Sequence, residues 1–248
     1  MKKKVRILLL DILTAVSLVC TKKSIKRATV LFVEMLAGIT LVCAGAAMGI
    51  IANLGQTTST GTSYALALAM NIKVGNGLII LYCFFMVLQL LMLRRKFRPI
   101  FFIQIIPVVL HGWILNFFKY DFAPFLALSP QTYAERFAIY AIGVVLISLG
   151  FCGTKASGFA NYPPDTFCAL LARRMNVQFG TTKLIVDFCY VGVTLMLCLL
   201  FRLDFGIVRE GTVIFAAANG VLINLFLKKV EKAFEAFEKC AGVQRAIT

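Results

Sequence analysis

Apolar residues run through this chain in six long stretches, near 28–51, 76–93, 99–118, 137–153, 184–201 and 211–227. Stretches of about 17 to 25 apolar residues are what a helix needs to cross a hydrocarbon core. Two shorter apolar segments lie between them: Ser63 to Gly75 reads SYALALAMNIKVG and Cys168 to Gly180 reads CALLARRMNVQFG. Each predicts a short helix closed by a glycine. The two are related, because Leu66, Ala67, Met70, Asn71 and Gly75 return 105 residues later as Leu171, Ala172, Met175, Asn176 and Gly180. Upstream, Gly38, Leu41 and Gly45 return as Gly143, Leu146 and Gly150, and downstream HGWILNFF from His111 returns as NGVLINLF from Asn219. The chain therefore reads as two membrane repeats, 28–119 and 134–227. The expected fold is an all-α polytopic membrane protein with six transmembrane helices and one short re-entrant or half-buried helix per repeat. With three spans in each half, the second half enters the membrane from the opposite side, so the repeats are expected to be inverted. That is the pattern of many secondary transporters, which bind solute at the repeat interface.

Composition agrees with a membrane setting. Among 248 residues 60% are hydrophobic and 15% charged, with a mean hydropathy of +0.88, far from the half-apolar, quarter-charged soluble average. A formal charge of +15 would suggest nucleic acid in a soluble protein, whereas in a membrane chain lysine and arginine gather on the cytoplasmic side. With a cytoplasmic N-terminus, 21 of the 26 basic residues fall inside, and only Lys73, Lys119, Arg136, Arg202 and Arg209 fall outside. Both termini are thus expected to be cytoplasmic, with the lipid bilayer and not nucleic acid as partner.

Three segments flank the repeats. MKKKVR and the apolar run to Cys20 resemble a signal peptide, but Thr21-Lys22-Lys23 follows where small residues would be cleaved. A seventh span would have to carry Arg6 and Asp11, so 1–27 is expected to be a basic interfacial helix on the inner leaflet. An external linker occupies 120–133. Beyond the last span, 228–248 aligns Val230, Ala233, Phe234, Phe237 and Ala241 on one stripe, as in an amphipathic cytoplasmic helix lying on the membrane or against a membrane or cytoplasmic partner.

The connectors before the short helices, ANLGQTTSTGTS from Ala52 and ANYPPDTFC from Ala160, are too long for tight turns and are expected to be re-entrant hairpins sheltered by protein. The irregular arm precedes the helix, so the helix N-terminus lies deep, and its free N–H groups and partial positive charge favour an anion or carboxylate. With Thr62 further along the hairpin, Thr57, Thr58, Ser59 and Thr60 line the first such end. Together with Asp165 and the recurring Asn71 and Asn176 they are the expected substrate-binding residues. Asp165 admits two readings, an N-cap for 166–175 or a ligand or proton contact.

Ionisable groups inside spans are costly and mark cavities or partners. Glu34 is such a group, either in a partly solvated ion pair with Lys26 and Arg27 or in transport. His111, the lone histidine, is either a hydrogen-bonded packing residue or a proton carrier. Asp187 stands four residues after Lys183, which suits an intrahelical pair, and Tyr190 and Thr194 continue its face as a polar path. Glu34, His111 and Asp187 are the expected coupling residues. Gly45 and Gly49 form a G-x-x-x-G pair, and with Gly38 they suit close helix packing, Pro107 is expected to kink its span, and the matched Asn116 and Asn224 are expected to share a hydrogen bond across the halves.

No catalytic constellation is present. The eight cysteines are scattered without a C-x-x-C, and there is no P-loop or dinucleotide fingerprint. Neither enzyme activity, catalytic residues, a cofactor nor a metal is expected.

The segment YPPDTFCALLARRMNVQFGTTKLIVD, with Asp165, Gly180 and Asp187, together with the glycine-rich first span and ANLG in the first half, resembles the YitT/YczE-like bacterial membrane proteins over about 28–227. The resemblance implies a multi-pass protein of the bacterial plasma membrane whose biochemical role is largely unassigned. This chain departs from the usual pattern in carrying Thr60 and Tyr82 opposite Asp165 and Asp187, which argues against a symmetric two-carboxylate mechanism. The expected function is a small transporter or permease for a small polar or anionic solute. The alternative is a non-transporting membrane component, such as a substrate-binding subunit or a scaffold.

Overall fold

In the computed structural model of the chain, residues 22–94 and 99–240 are described. Its elements are α1 (Lys22–Ala52), α2 (Thr58–Ala69), α3 (Val74–Leu93), a 3-10 turn (Pro99–Gln104), α4 (Ile105–Asn116), a π turn (Phe117–Asp121), α5 (Ala123–Leu126), α6 (Tyr133–Ser157), α7 (Pro163–Met175), α8 (Phe179–Phe201), a second 3-10 turn (Phe205–Ile207) and α9 (Glu210–Cys240). No strand occurs among the described residues. Five segments are long and apolar enough to cross a membrane: Ile25–Ala52, Val74–Leu93, Phe101–Asp121, Tyr133–Ser157 and Gly180–Phe201. A sixth is reached if α9, bent by 50° between Glu210–Ala216 and Val221–Glu238, counts as one span. The chain is an all-helical polytopic membrane protein.

α1 and α6 cross antiparallel at the centre, and glycine sets how closely they approach. A Cβ on Gly38 would come within 2.6 Å of Thr154 N, and one on Gly150 within 2.6 Å of Gly38 O. One crossing further on, Gly45 and Gly143 face each other's carbonyls in the same way. In lipid such backbone contact is a main source of helix association, since apolar side chains gain little by leaving lipid for one another. The two contacts are one contact seen twice, because Gly38 recurs as Gly143 and Gly45 as Gly150. The flanking helices repeat this relation. Cys43 Sγ on α1 lies 3.4 Å from His111 O on α4, and Ser148 Oγ, at the position matching Cys43, lies 3.0 Å from Asn219 Oδ1 on α9.

The short helices trade partners. α2 packs on α8, and α7 packs on α3, besides their own neighbours. Each hairpin is therefore seated against the other half of the chain.

Several expectations change in detail. The interfacial helix expected at 1–27 lies outside the described residues as far as 21, and from Lys22 the chain is already in α1, continuous with the first span. The helix expected as a separate segment at 228–248 is the continuation of α9 as far as Cys240, and Phe234 reaches back to within 3.7 Å of where a Gly153 Cβ would stand. Its last residues, 241–248, lie outside the described residues. In the third span, winding changes from 3-10 to α between Gln104 and Ile105. Pro107 has no N–H to donate to Ile103, so the tighter turn falls where that bond is missing. Asn116 does not bridge the halves. Its Oδ1 accepts from Gly75 N at 2.7 Å and its Nδ2 donates to Asn76 Oδ1 at 3.1 Å, both in its own half, while Asn224 is exposed.

Candidate functional site

The connector from Ala52 turns at Gly55, whose φ of 112° suits glycine alone, and Thr57 caps α2 by accepting from Thr60 N at 3.2 Å. α2 then runs beside α8. Thr58 Oγ1 donates to Asp187 Oδ1 at 2.8 Å. One turn on, Thr62 Oγ1 bonds Tyr190 O at 3.1 Å and Thr194 Oγ1 at 2.9 Å. Asp187 is the eighth residue of the span Gly180–Phe201, roughly 10 Å from its start at about 1.5 Å per residue. The start of α2 is level with it, so this helix begins well inside the span.

α7 approaches from the other half. Pro163 and Pro164 occupy its first two positions, with Tyr162 before them as N-cap. Asp165 is thus the third helical residue and not the cap, and its carboxylate turns outward to Lys183. Lys183 Nζ lies 3.1 Å from Asp165 Oδ1 and 3.9 Å from Asp187 Oδ1. The intrahelical pair exists, yet the closer partner of Lys183 is Asp165 on the hairpin. All three side chains retain roughly a third of their exposure. The first turns of the two short helices therefore converge on one partly open cluster: Thr58, Asp165, Lys183 and Asp187. Lys183 stands between the carboxylates, where a bound cation would otherwise sit. Among the described residues no three His, Cys, Asp or Glu side chains group to hold a metal ion.

Behind the cluster the interior is aromatic. Tyr82 lies within electrostatic reach of Asp165 and Lys183 and close to Ser59, and packs against His111 at 5.8 Å and Tyr162 at 5.9 Å between ring centroids. His111 also meets Tyr162 at 5.4 Å. His111 is buried, and among the described residues neither ring nitrogen has a hydrogen-bond partner; the hydroxyls of Tyr162 and Tyr190 are likewise buried without one there. His111 packs against rings, and the hydrogen bond expected of it does not form among the described residues. On the α7 side, Gln89 Nε2 donates to Pro163 O at 2.9 Å and Gln104 Nε2 to Thr166 Oγ1 at 3.4 Å, tying α3 and the third span to the α7 N-terminus.

Of the residues expected at the site, Thr57, Thr58, Ser59, Thr60, Asp165 and Asp187 gather around the two helix starts, with Thr60 buried. Asn71 and Asn176 do not. Both are exposed and lie where the short helices end, with φ of 55° and 56°. Asparagine tolerates that left-handed backbone better than most residues, so their recurrence reflects how the helices stop. Glu34 lies in α1, one turn before Gly38, and is 2% exposed, so it is not partly solvated. Lys183 and Gln89 are the site residues that reading the spacing alone missed. The signal for Lys183 was present in its i, i+4 relation to Asp187.

Fold and site together define a polytopic helical membrane protein in which two interior half-length helices enclose a charged cluster. Residues 25–228 match a family of unknown function, DUF6198, and the chain belongs to that family. Comparison with curated proteins and with solved structures finds no match.

Proposed function

We propose that the chain is a small permease of the bacterial plasma membrane, moving a small polar solute past the Asp165–Lys183–Asp187 cluster between two inverted repeats, with both termini cytoplasmic. The observation that carries this reading is the convergence of two half-helix N-termini, one from each half, on a single partly open charged cluster. Half-helices whose ends face a shared site at the repeat interface are how many transporters satisfy irregular backbone within the membrane. The antiparallel α1–α6 crossing and the exchange of contacts across it support the inverted-repeat reading, and the YitT/YczE resemblance agrees with it.

The cluster also bears on the class of solute. The partial positive charge at the start of α2 would favour an anion, but Asp187 already accepts from Thr58 there. Two carboxylates around one ammonium favour neutral or cationic polar solutes over anions. Transport would require Lys183 to exchange partners, since a cationic group entering the cluster competes with it for Asp165 and Asp187.

Flux in liposomes tests the proposal, using a panel of neutral and cationic solutes with Lys183→Met and Asp165→Asn beside the wild type. Flux of one class, lost in both variants, is the expected result. Flux unchanged in both variants, or absent from well-folded wild type across the panel, contradicts it. A second reading, a subunit that works only with a partner, draws on the continuation of α9 beyond its span with Phe237 about half exposed. Loss of flux on deleting 228–248 with solute binding intact would favour it.

A further inference from the structure

A half-open cavity of about 430 Å³ lies at the other end of α2. Its walls come from both halves: Tyr64 and Leu68 on α2, Lys119 in the π turn, Phe125 in the 120–133 linker and Asp204 after α8. This volume falls in the range of small-ligand pockets, which pair apolar walls with a few polar groups. The walls here mix aromatic and aliphatic side chains with polar groups, Asn53 among them, and two opposite charges line the same space.

Neither charge is neutralised by the other. The described ion pairs join Lys183 to Asp165 and Asp187, and Arg209 to Glu210; Lys119 and Asp204 do not pair. Lys119 is half-buried and makes no hydrogen bond or ion pair among the described contacts. Its neighbour Tyr120 is engaged with the other lysine at this end, Lys73, whose Nζ lies 5.5 Å above the Tyr120 ring. Tyr120 OH also accepts from Val74 N at 3.4 Å. Asp204 uses one oxygen to accept from Gly206 N at 2.9 Å, which fixes the turn and leaves its second oxygen for another donor. Tyr64 is within electrostatic reach of Asp204. An ammonium unpaired among the described residues and a fixed carboxylate, contributed by different halves to one cavity of mixed polar and apolar lining, complement a ligand carrying both charges.

We infer that this cavity binds a zwitterion, with an acidic group on Lys119, an ammonium on Asp204 and an apolar side group against Tyr64, Leu68 and Phe125. A free amino acid with an apolar side chain has this chemistry, and so does a phosphatidylethanolamine headgroup. The inference does not rest on transport, because occupancy is measured without flux and at residues outside the Asp165–Lys183–Asp187 cluster.

The test uses the purified full chain in detergent, with L-leucine as the free probe and 4-methylpentanoate and isoamylamine as single-charge controls. Leucine is expected to raise the thermal midpoint, each control to do so at least tenfold more weakly, and Lys119→Met and Asp204→Asn each to weaken the leucine effect at least tenfold. Asparagine keeps the turn to Gly206, and Lys119→Arg keeps the charge and is expected to retain binding, so loss of ligand is separable from loss of fold. A second arm uses nanodiscs of phosphatidylethanolamine or phosphatidylglycerol and native mass spectrometry. Ethanolamine lipid retained by the wild type and lost in both Lys119→Met and Asp204→Asn supports the same site with a lipid as the source. No zwitterion bound in either arm, or binding indifferent to both substitutions, overturns the inference.

Discussion

The two short helices hold matching positions in the repeat and present opposite chemistry. Thr58 and Thr62 of α2 meet α8 through hydroxyls, on Asp187, Tyr190 and Thr194. In the other half, Tyr162 and Phe167 of the α7 hairpin meet α3 through rings, with Tyr82–Tyr162 at 5.9 Å and Phe85–Phe167 at 5.3 Å. Thr62 and Phe167 are the same repeat position, as are Phe85 and Tyr190. The backbone fit is kept and the side chains have diverged, one seat lined by hydroxyls and the other by aromatic rings. The long helices differ in the same direction. A Cβ on Gly75 of α3 would overlap Gly112 O of α4, whereas Gly180 and Gly192 of α8 have nothing within 4 Å. α3, α4 and α7 form a close-packed frame, and α8 presents the charged cluster without an equivalent clamp.

Substitutions at matched positions sharpen or break this contrast. The largest effect is expected from Phe167→Ala, about 3 kcal/mol of lost stability in detergent, the range for emptying a packed aromatic site. The matched Thr62→Val is expected to cost about 1 kcal/mol, the net worth of an ordinary hydrogen bond. Next, Gly75→Ala is expected to cost about 1 to 3 kcal/mol by forcing two backbones apart, and Gly180→Ala to stay within about 0.5 kcal/mol, as at an open position. Equal costs for the glycine pair, read as thermal unfolding midpoints, would break the comparison. Lys183→Met is expected to cost about 1 kcal/mol, because its partners are partly solvated and lie between the exposed and buried limits for ion pairs. The smallest contrast is at the matched asparagines. Asn116→Ala is expected to cost about 1 kcal/mol through the lost bond to Gly75 N, and Asn224→Ala next to nothing.

The spans, the short helices and the glycine crossing were legible because each is a local pattern of hydrophobicity or of residue size. Partner choice was not. Nothing in the period of α2 or α7 says that each packs on the other half, and so Asp165 could be read as a cap when its carboxylate is 3.1 Å from Lys183. Recurrence was misleading at Asn71 and Asn176, which repeat because a left-handed residue ends each helix, not because both bind a solute. Asn116 and Asn224 repeat in sequence but among the described residues only the first has a partner, since α4 lies against the start of α3 and α9 packs mainly on α6. Hydrophobic patterning fixes where a helix lies along the chain and leaves open which neighbour its polar face meets.

The central claim, that the cluster where the two half-helices meet is a solute site, is tested most directly by ligand-induced thermal stabilisation of the purified protein across cationic, anionic and uncharged small solutes, zwitterions being left out because they belong to the Lys119–Asp204 cavity. A ligand bound only by the folded state raises the midpoint with its occupancy. The account predicts that a neutral or cationic class stabilises the wild type, that Lys183→Met and Asp187→Asn abolish the shift, and that Lys119→Met leaves it intact. A shift that survives both cluster substitutions, or no shift from any class in well-folded protein, would contradict it.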